Sequence, residues 1–175
     1  MQGLPNREQA TALLRNNNCP NKVINHCLDV ADFAIKLAAK LQSRGYTVDI
    51  ELVETGAVLH DIGRAKTHGV DHSVVGAQMA QKIGLPQPII NIIKRHVGAG
   101  ITQEEAQKMN WPQDVYMPRT LEEKIVCYAD KRVDHGVVIP IEIEIEKLEK
   151  KGLANGAERV RSLHNEISDL LGEHV

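Results

Sequence analysis

The chain reads Leu59-His60-Asp61-Ile62-Gly63 at the end of an apolar segment, and this stretch governs the interpretation of the rest. Four more histidine and aspartate residues lie on apolar segments, or at their starts, on either side of it: His26, His72, His96 and Asp130. Imidazole nitrogens and carboxylate oxygens suit divalent ions such as Zn, Fe, Mn and Mg. Six such groups are more than one ion needs. The set therefore predicts two metal ions sharing a carboxylate, an arrangement common where phosphate esters are split.

Each residue also has an ordinary structural interpretation. A single histidine between apolar neighbours, such as His26 between Val23 and Val30, is more often a hydrogen-bonded core residue than a ligand. Asp130 is different, because it follows the apolar run 125–129, and an unpaired carboxylate on a buried face costs several kcal/mol. It must pair with a base, bind a metal or turn to solvent. The same unusual choice recurs on five successive segments, which favours the metal site.

Composition limits the class of protein. A chain of 175 residues with 42% hydrophobic and 25% charged residues is long enough for one domain with its own core. The net charge of −2 argues against broad nucleic-acid binding, which needs a basic excess, and leaves a local phosphate ligand open. No apolar stretch approaches the ~18 residues of a membrane span. The sequence leaves open whether the protein forms a homo-oligomer.

The cysteines and the N-terminus predict a cytoplasmic location. The chain has 3 cysteines without a C-x-x-C pair, a pattern typical of reduced thiols. Cys27, next to His26, could serve as a ligand or nucleophile, but a free cysteine is more often a small buried hydrophobe. The segment Met1–Pro5 has neither a charged start nor an apolar run, so we expect no signal peptide.

Hydrophobic periodicity predicts an all-α fold, with residues 1–175 forming a single domain. Capping boxes at Asn6–Gln9, Thr102–Glu105 and Thr120–Glu123 mark three helix starts, and residues 63–70 are predicted to be a loop. The stretch 141–146 alternates Ile and Glu, which is a strand signal, but no partner strand is evident and the residues after it favour a helix. The predicted helices cover residues 7–14, 21–44, 50–60, 72–83, 88–96, 103–109, 121–133, 140–151 and 155–171.

The order of these residues resembles a known family. His26, the His60-Asp61 pair and Asp130 are similar to the signature of the HD-domain metal-dependent phosphohydrolases, and residues 59–63 resemble its His-Asp-Ile-Gly variant. The resemblance covers about residues 20–135 and extends to uncharacterised archaeal members. It implies a helical bundle with an HD core over residues 20–135, an N-terminal helix and a C-terminal helical extension.

Two further histidines resemble those of the two-metal branch of this family, which includes dinucleoside tetraphosphate hydrolases and cyclic-dinucleotide phosphodiesterases. They are His72, which precedes Gly76-Ala77, and His96, which precedes Gly98. The resemblance implies that Asp61 bridges two ions, with His68 as an alternative to His72 or as a substrate contact. The first ion would be held by His26, His60, Asp61 and Asp130, and the second by His72, His96 and Asp61. Fe and Mn are the favoured ions, with Zn, Mg, Ni and Co as alternatives.

The implied reaction is attack of a metal-activated water on a small phosphate-bearing substrate, for which a nucleotide is favoured. Asp61, Arg64 and Lys131 are the candidate catalytic residues, and Arg64, His68 and Lys131 the candidate substrate contacts. A guanidinium can hold a phosphate through two hydrogen bonds, which favours Arg64. The chain lacks the Gly-Tyr-Pro triplet of the cyclic-dinucleotide enzymes, which argues against that substrate. Two other functions stay open: a diiron HD-type oxygenase and a non-catalytic nucleotide-sensing module.

Overall fold

The structure is a computed structural model in which residues 3–172 are described. Within them, the chain forms nine α-helices, two 3₁₀ turns and one hairpin of two short strands. The helices are α1 (Arg7–Asn16), α2 (Asn21–Ser43), α3 (Ile50–Leu59), α4 (His72–Ile83), α5 (Gln87–Arg95), α6 (Gln103–Lys108), α7 (Leu121–Arg132), α8 (Ile141–Lys150) and α9 (Ala154–Leu171). The strands are β1 (Val133–Asp134) and β2 (Val137–Val138), and the 3₁₀ turns are Ile62–Ala65 and Val97–Ala99. The all-α fold predicted from the sequence is confirmed.

Local signals place the helix starts correctly. The side chains of Asn6, Thr102 and Thr120 each accept a hydrogen bond from the backbone amide three residues later, and the Gln or Glu side chain at that position accepts one from the backbone amide of the cap residue. These reciprocal bonds satisfy amide groups that a helix start leaves without partners. The Ile/Glu stretch is the helix α8, as preferred from the sequence, with Ile141 and Ile145 buried one turn apart.

The hydrophobic core forms around α2, which packs against α3 and α7. α4 pairs with α5, and α8 pairs with α9, which in turn contacts α7 and the second 3₁₀ turn. The core is almost wholly aliphatic, with Tyr128 as its largest fully buried side chain. The inward face of α2 comprises Ile24, Cys27, Val30, Ala31, Ala34, Leu37, Ala38 and Leu41.

Some local predictions were wrong. The predicted loop 63–70 begins within a 3₁₀ turn, and helix α1 continues to Asn16, two residues further than expected. Helix α7 ends at Arg132, one residue earlier than expected, because Val133 pairs with Val138 in the hairpin. A hairpin of two-residue strands is too short to leave a periodic signal in the sequence.

None of the described helices has the length and apolar character needed to span a bilayer. The expectation that the chain has no signal peptide rests on Met1–Pro5, and the first two of these residues lie outside the described part of the chain.

Gly63 allows the first 3₁₀ turn to lie directly against the start of α4. A Cβ atom at this position would lie 1.9 Å from the carbonyl oxygen of His72 and 2.7 Å from the amide nitrogen of Gly76. Both neighbours are backbone atoms, so no rotamer change would relieve the overlap. The turn follows Asp61 and α4 begins at His72, so this contact sets the distance between the two residues.

We expect Gly63→Ala to lower the free energy of unfolding by about 3 kcal/mol, because the added methyl group overlaps backbone rather than a movable side chain. Urea unfolding followed by circular dichroism measures this change. Gly3→Ala is the matched control, since a Cβ there meets nothing within 4 Å. An unfolding midpoint for Gly63→Ala equal to that of the control would contradict the packing argument.

Candidate metal centre

The structure brings the six sequence-predicted ligands together where the ends of several helices meet. His60 and His96 follow the last residues of α3 and α5, and His72 is the first residue of α4. Asp130 lies in the last turns of α7, and His26 lies on α2. Their nitrogen and oxygen atoms form two overlapping groups whose members lie within 4.8 Å of one another: His26, His60 and Asp130, and His60, Asp61 and His96.

Each aspartate faces two histidines. Asp61 Oδ1 lies 3.0 Å from His72 Nε2 and 3.4 Å from His96 Nε2. Asp130 Oδ1 lies 3.0 Å from His26 Nε2 and 3.3 Å from His60 Nε2. The two halves meet between His60 Nε2 and Asp61 Oδ2, which are 3.8 Å apart. Asp61 thus stands between the two halves, as expected of a bridging carboxylate.

Backbone contacts fix the tautomer of three of these histidines. In each, Nδ1 lies within hydrogen-bond distance of the carbonyl oxygen of the residue three positions earlier. A carbonyl only accepts hydrogen bonds, so Nδ1 carries the hydrogen and a neutral ring presents a lone pair at Nε2. Such backbone contacts are the usual means of orienting a histidine that binds metal. The pairs are His60 with Ala57 at 2.6 Å, His72 with Gly69 at 2.7 Å, and His96 with Ile93 at 2.7 Å.

These lone pairs face one another. His72 Nε2 lies 3.0 Å from His96 Nε2, and two neutral rings with hydrogen on Nδ1 cannot form a hydrogen bond across this gap. The buried atoms His60 Nε2 and Asp61 Oδ1 have no hydrogen-bond partner among the described residues. Buried lone pairs on nitrogen and oxygen that converge without donors require a cation. The residues present therefore fit divalent metal ions.

The pKa values of the cluster reflect burial opposed by neighbouring charge. Burial favours the neutral carboxyl of Asp61, but the nearby rings of His60, His72 and His96 hold its pKa well below the ordinary value. Burial lowers the pKa of His96 to about 4, so its ring is neutral at pH 7. Burial also opposes a charge on His60, but Cys27, Asp61 and Asp130 next to it raise its pKa well above the ordinary value.

The pKa of Asp130 reflects the same opposition of burial and neighbouring groups. Burial favours its neutral form, but Lys131, His26 and His60 hold its pKa well below the ordinary value. A metal ion binds histidine in its neutral form and aspartate in its ionised form, which makes metal binding dependent on pH.

The candidate substrate contacts lie beside the ligands. Arg64 Nε donates to Asp61 Oδ2 at 2.7 Å, and its Nη1 donates to the carbonyl oxygen of His68 at 3.4 Å. Lys131 Nζ donates to the second oxygen of Asp130 at 2.5 Å. Both cations are therefore paired with the carboxylates that they follow in the chain. Neither His68 nor His72 belongs to the two groups of converging atoms, but His72 Nε2 lies 3.0 Å from Asp61 Oδ1.

A cavity of about 620 Å³ opens onto the cluster. His72, His96 and Asp130 line one end of it, together with Arg64 and Lys131. Its opposite wall is formed by residues of α6, α8 and α9. The volume falls in the range of pockets that hold small organic ligands.

Sequence reasoning missed the ion pair that fixes α5 to α7 near the cluster. Arg95 Nη1 donates to Glu123 Oε1 at 2.7 Å, and both side chains are buried. Arg95 Nε also donates to the carbonyl oxygen of Val115 at 3.2 Å. The capping box identified Glu123 only as a helix-start residue, and no local signal indicated its distant partner. Cys27 is fully buried and burial raises the pKa of its thiol, which fits the interpretation as a buried hydrophobe.

The fold and the cluster together define a helical domain with a histidine–aspartate centre, and the family model of the HD domain matches residues 23–133. The chain belongs to the HD domain family. The family assignment made from the sequence is therefore confirmed.

Relatives include an uncharacterised protein of Methanocaldococcus jannaschii, 43% identical over 166 residues, which cover 94% of this chain and 98% of the relative. A tRNA (cytidine(56)-2'-O)-methyltransferase of Picrophilus torridus is 38% identical over 98% of this chain, which spans only 49% of that enzyme. Ribonuclease Y of Acidothermus cellulolyticus is 36% identical over 76 residues, covering 42% of this chain and 14% of the relative.

The fold is similar to that of a solved HD domain. The crystal structure of the HD domain of the phosphodiesterase PgpH from L. monocytogenes, in complex with cyclic-di-AMP, matches with a TM-score of 0.57. The match covers 92% of this chain and 96% of that domain, at 20% sequence identity. The helical architecture, including the C-terminal helices, is thus shared at low sequence identity.

We expect the protein to bind two equivalents of divalent metal, and Asp61→Ala to lose both because its carboxylate stands between the two halves of the cluster. His26→Ala and His72→Ala should each retain about one equivalent. Elemental analysis after purification without chelators measures the ratio, and circular dichroism shows whether the helices persist. His135→Ala is the control, since its side chain is 76% exposed and outside the cluster. Two equivalents retained by Asp61→Ala would contradict the assignment.

Proposed function

We propose that this protein is a metal-dependent phosphohydrolase. It hydrolyses a phosphomonoester, phosphodiester or phosphoanhydride bond of a nucleotide or other small phosphate ester, through a metal-activated water. The observation that carries the proposal is a buried cluster beside a ligand-sized cavity: His60 Nε2 and Asp61 Oδ1 have no partner among the described residues, and the Nε2 atoms of His72 and His96, which line the cavity, face each other. Membership of the HD domain family supports it.

We assign the metal ligands as the family resemblance implies. His26, His60, Asp61 and Asp130 would hold one ion, and His72, His96 and Asp61 would hold the other. Nitrogen and oxygen donors without thiolates suit Fe and Mn, with Zn, Mg, Ni and Co as alternatives. Bound ions would supply a hydroxide near neutral pH and neutralise phosphoryl charge.

The remaining roles belong to residues of the chain itself. Arg64 donates from Nε to Asp61 and from Nη1 to the carbonyl oxygen of His68. Its Nη2 can therefore donate to a phosphate oxygen of the substrate. Lys131 has used one of its three hydrogens on Asp130 and also lines the cavity. It can therefore hold Asp130 ionised and place positive charge where the phosphoryl group gains negative charge. Neither role requires a serine or cysteine nucleophile. His68 lies at the exposed edge of the cavity as a further substrate contact.

A nucleotide is the favoured substrate, and the known substrate classes of similar proteins are consistent with this choice. The PgpH domain was solved with cyclic-di-AMP bound, and ribonuclease Y is named as an RNA-cleaving enzyme. The missing Gly-Tyr-Pro triplet still argues against a cyclic dinucleotide for this chain. We propose that residues 1–175 form one domain. We also propose a cytoplasmic location, because all three cysteines are free and buried.

A diiron oxygenase is the main competing function, and a nucleotide sensor is the other. Cationic side chains beside the cluster favour phosphate chemistry, and all six proposed ligands are present, which argues against a module that has lost catalysis.

We expect Mn- or Fe-loaded protein to hydrolyse p-nitrophenyl phosphate or bis-p-nitrophenyl phosphate with oxygen rigorously excluded. Nitrophenolate absorbance measures the rate, and Asp61→Asn is the inactive control. Turnover that appears only when oxygen is admitted would favour the oxygenase.

We expect Arg64→Gln to raise KM about tenfold or more and to lower kcat less, because the guanidinium grips the phosphate of the bound substrate as well as the transition state. Steady-state kinetics on the best substrate from a nucleotide panel give the two constants. Lys66→Gln is the matched control, since it follows closely in the chain but does not line the cavity. An unchanged KM in Arg64→Gln would remove this residue from the substrate site.

A further inference from the structure

The far wall of the cavity is built by the turn that joins α8 to α9. Leu148, Lys151 and Leu153 line the cavity from this turn and from the end of α8. The family model ends at residue 133, so this wall lies outside the residues that the model matches. Side chains that line the cavity from outside the matched core are well placed to distinguish one phosphate-bearing substrate from another.

Three of the seven exposed large hydrophobic side chains of the described residues line this cavity. Val70, Met109 and Leu153 are 52%, 37% and 52% exposed, and all three line it. They come from three separate segments: the loop before α4, the end of α6 and the start of α9. An apolar ligand group placed among them would remove apolar surface from water, which stabilises the complex in proportion to the area covered.

The wall is held in place before any ligand binds. Arg159 Nη2 on α9 donates to both carboxylate oxygens of Glu105 on α6, at 3.0 and 2.9 Å. Glu105 is itself fixed by the capping box with Thr102. This link ties α9, which begins after Leu153, to α6, which ends before Met109. A preorganised wall reduces the conformational entropy that binding must overcome.

The side chains at the two ends of the cavity indicate which kind of ligand it fits. The inner end takes a phosphate, but about 620 Å³ far exceeds the space that a phosphate needs. The outer end offers the aliphatic side chains and Lys151. A flat ring packs well between aliphatic side chains, and enzymes commonly hold a nucleobase between aromatic or apolar groups.

We propose that the α8–α9 turn is the base-recognition wall of this enzyme, in which Leu153 and Met109 contact the nucleobase of a nucleotide whose phosphate lies at the metal centre. This inference deepens the proposed function and rests on it for the position of the phosphate. It makes Leu153 a specificity-determining residue rather than a catalytic one. Binding of the base should depend on Leu153, and binding of the phosphate should not.

Calorimetric titration of the Mn-loaded protein tests this inference with two probes that it cannot hydrolyse. One is inorganic phosphate, and the other is an adenosine 5′-monophosphate analogue whose bridging oxygen is replaced by carbon. Leu153→Ser removes the apolar surface but leaves a favoured residue at the N-cap of α9, where Leu153 provides no side-chain hydrogen bond. We expect the Kd of the nucleoside analogue to rise about three- to tenfold and that of phosphate to stay unchanged.

Ile143→Ser is the matched control, because Ile143 is 50% exposed on the same helix pair but does not line the cavity. It should change neither Kd. An unchanged Kd of the nucleoside analogue in Leu153→Ser, or an equal rise for both probes, would overturn the base-recognition wall.

A separate assay of phosphate release from nucleotides distinguishes the two proposals. Release with no effect of Leu153→Ser on Kd contradicts the wall alone, whereas the expected Kd pattern without any release contradicts the hydrolase alone.

Discussion

The structure depends on one electrostatic constraint: four imidazoles and two carboxylates share a largely buried space, in which Arg64 and Lys131 donate to one oxygen of each carboxylate and leave the imidazole lone pairs unmatched. Hydrogen bonds from Nδ1 to backbone carbonyls fix His60, His72 and His96 so that their lone pairs point inward. Desolvated lone pairs and charges cost several kcal/mol unless they are compensated. The fold places these groups together because a cation compensates them, and this requirement explains the choice of residues at each helix end.

The helix termini supply the geometry. Three of the histidines stand at the first residue of a helix or just after the last, where the chain can change direction and where free carbonyls are available to orient a ring. Gly63 permits the close approach of the 3₁₀ turn to α4, and the buried Arg95–Glu123 pair fixes α5 to α7. Neither feature touches the proposed metal ions, but each fixes an element that carries a ligand. The same helices leave a cavity between the cluster and the α8–α9 turn.

Much of this could be predicted from the sequence, for identifiable reasons. Capping boxes and apolar periodicity are local signals, so the helices were placed to within one or two residues at most ends. The six candidate ligands were found because histidine and aspartate on apolar helices are unusual. The pairings of Arg64 with Asp61, of Arg95 with Glu123 and of Arg159 with Glu105 were not found. The last two join residues far apart in the chain. For Arg64, the sequence shows a basic residue near a candidate ligand but does not indicate which carboxylate it pairs with.

The most direct test of this account is a crystal structure of the protein purified with its native metal, with anomalous scattering recorded at the absorption edge of that metal. The account predicts two anomalous peaks, about 3.5–4 Å apart, with Asp61 between them, His26 and Asp130 on one side and His72 and His96 on the other. Peaks located elsewhere, or a metal-replete crystal in which these side chains coordinate nothing, would contradict it.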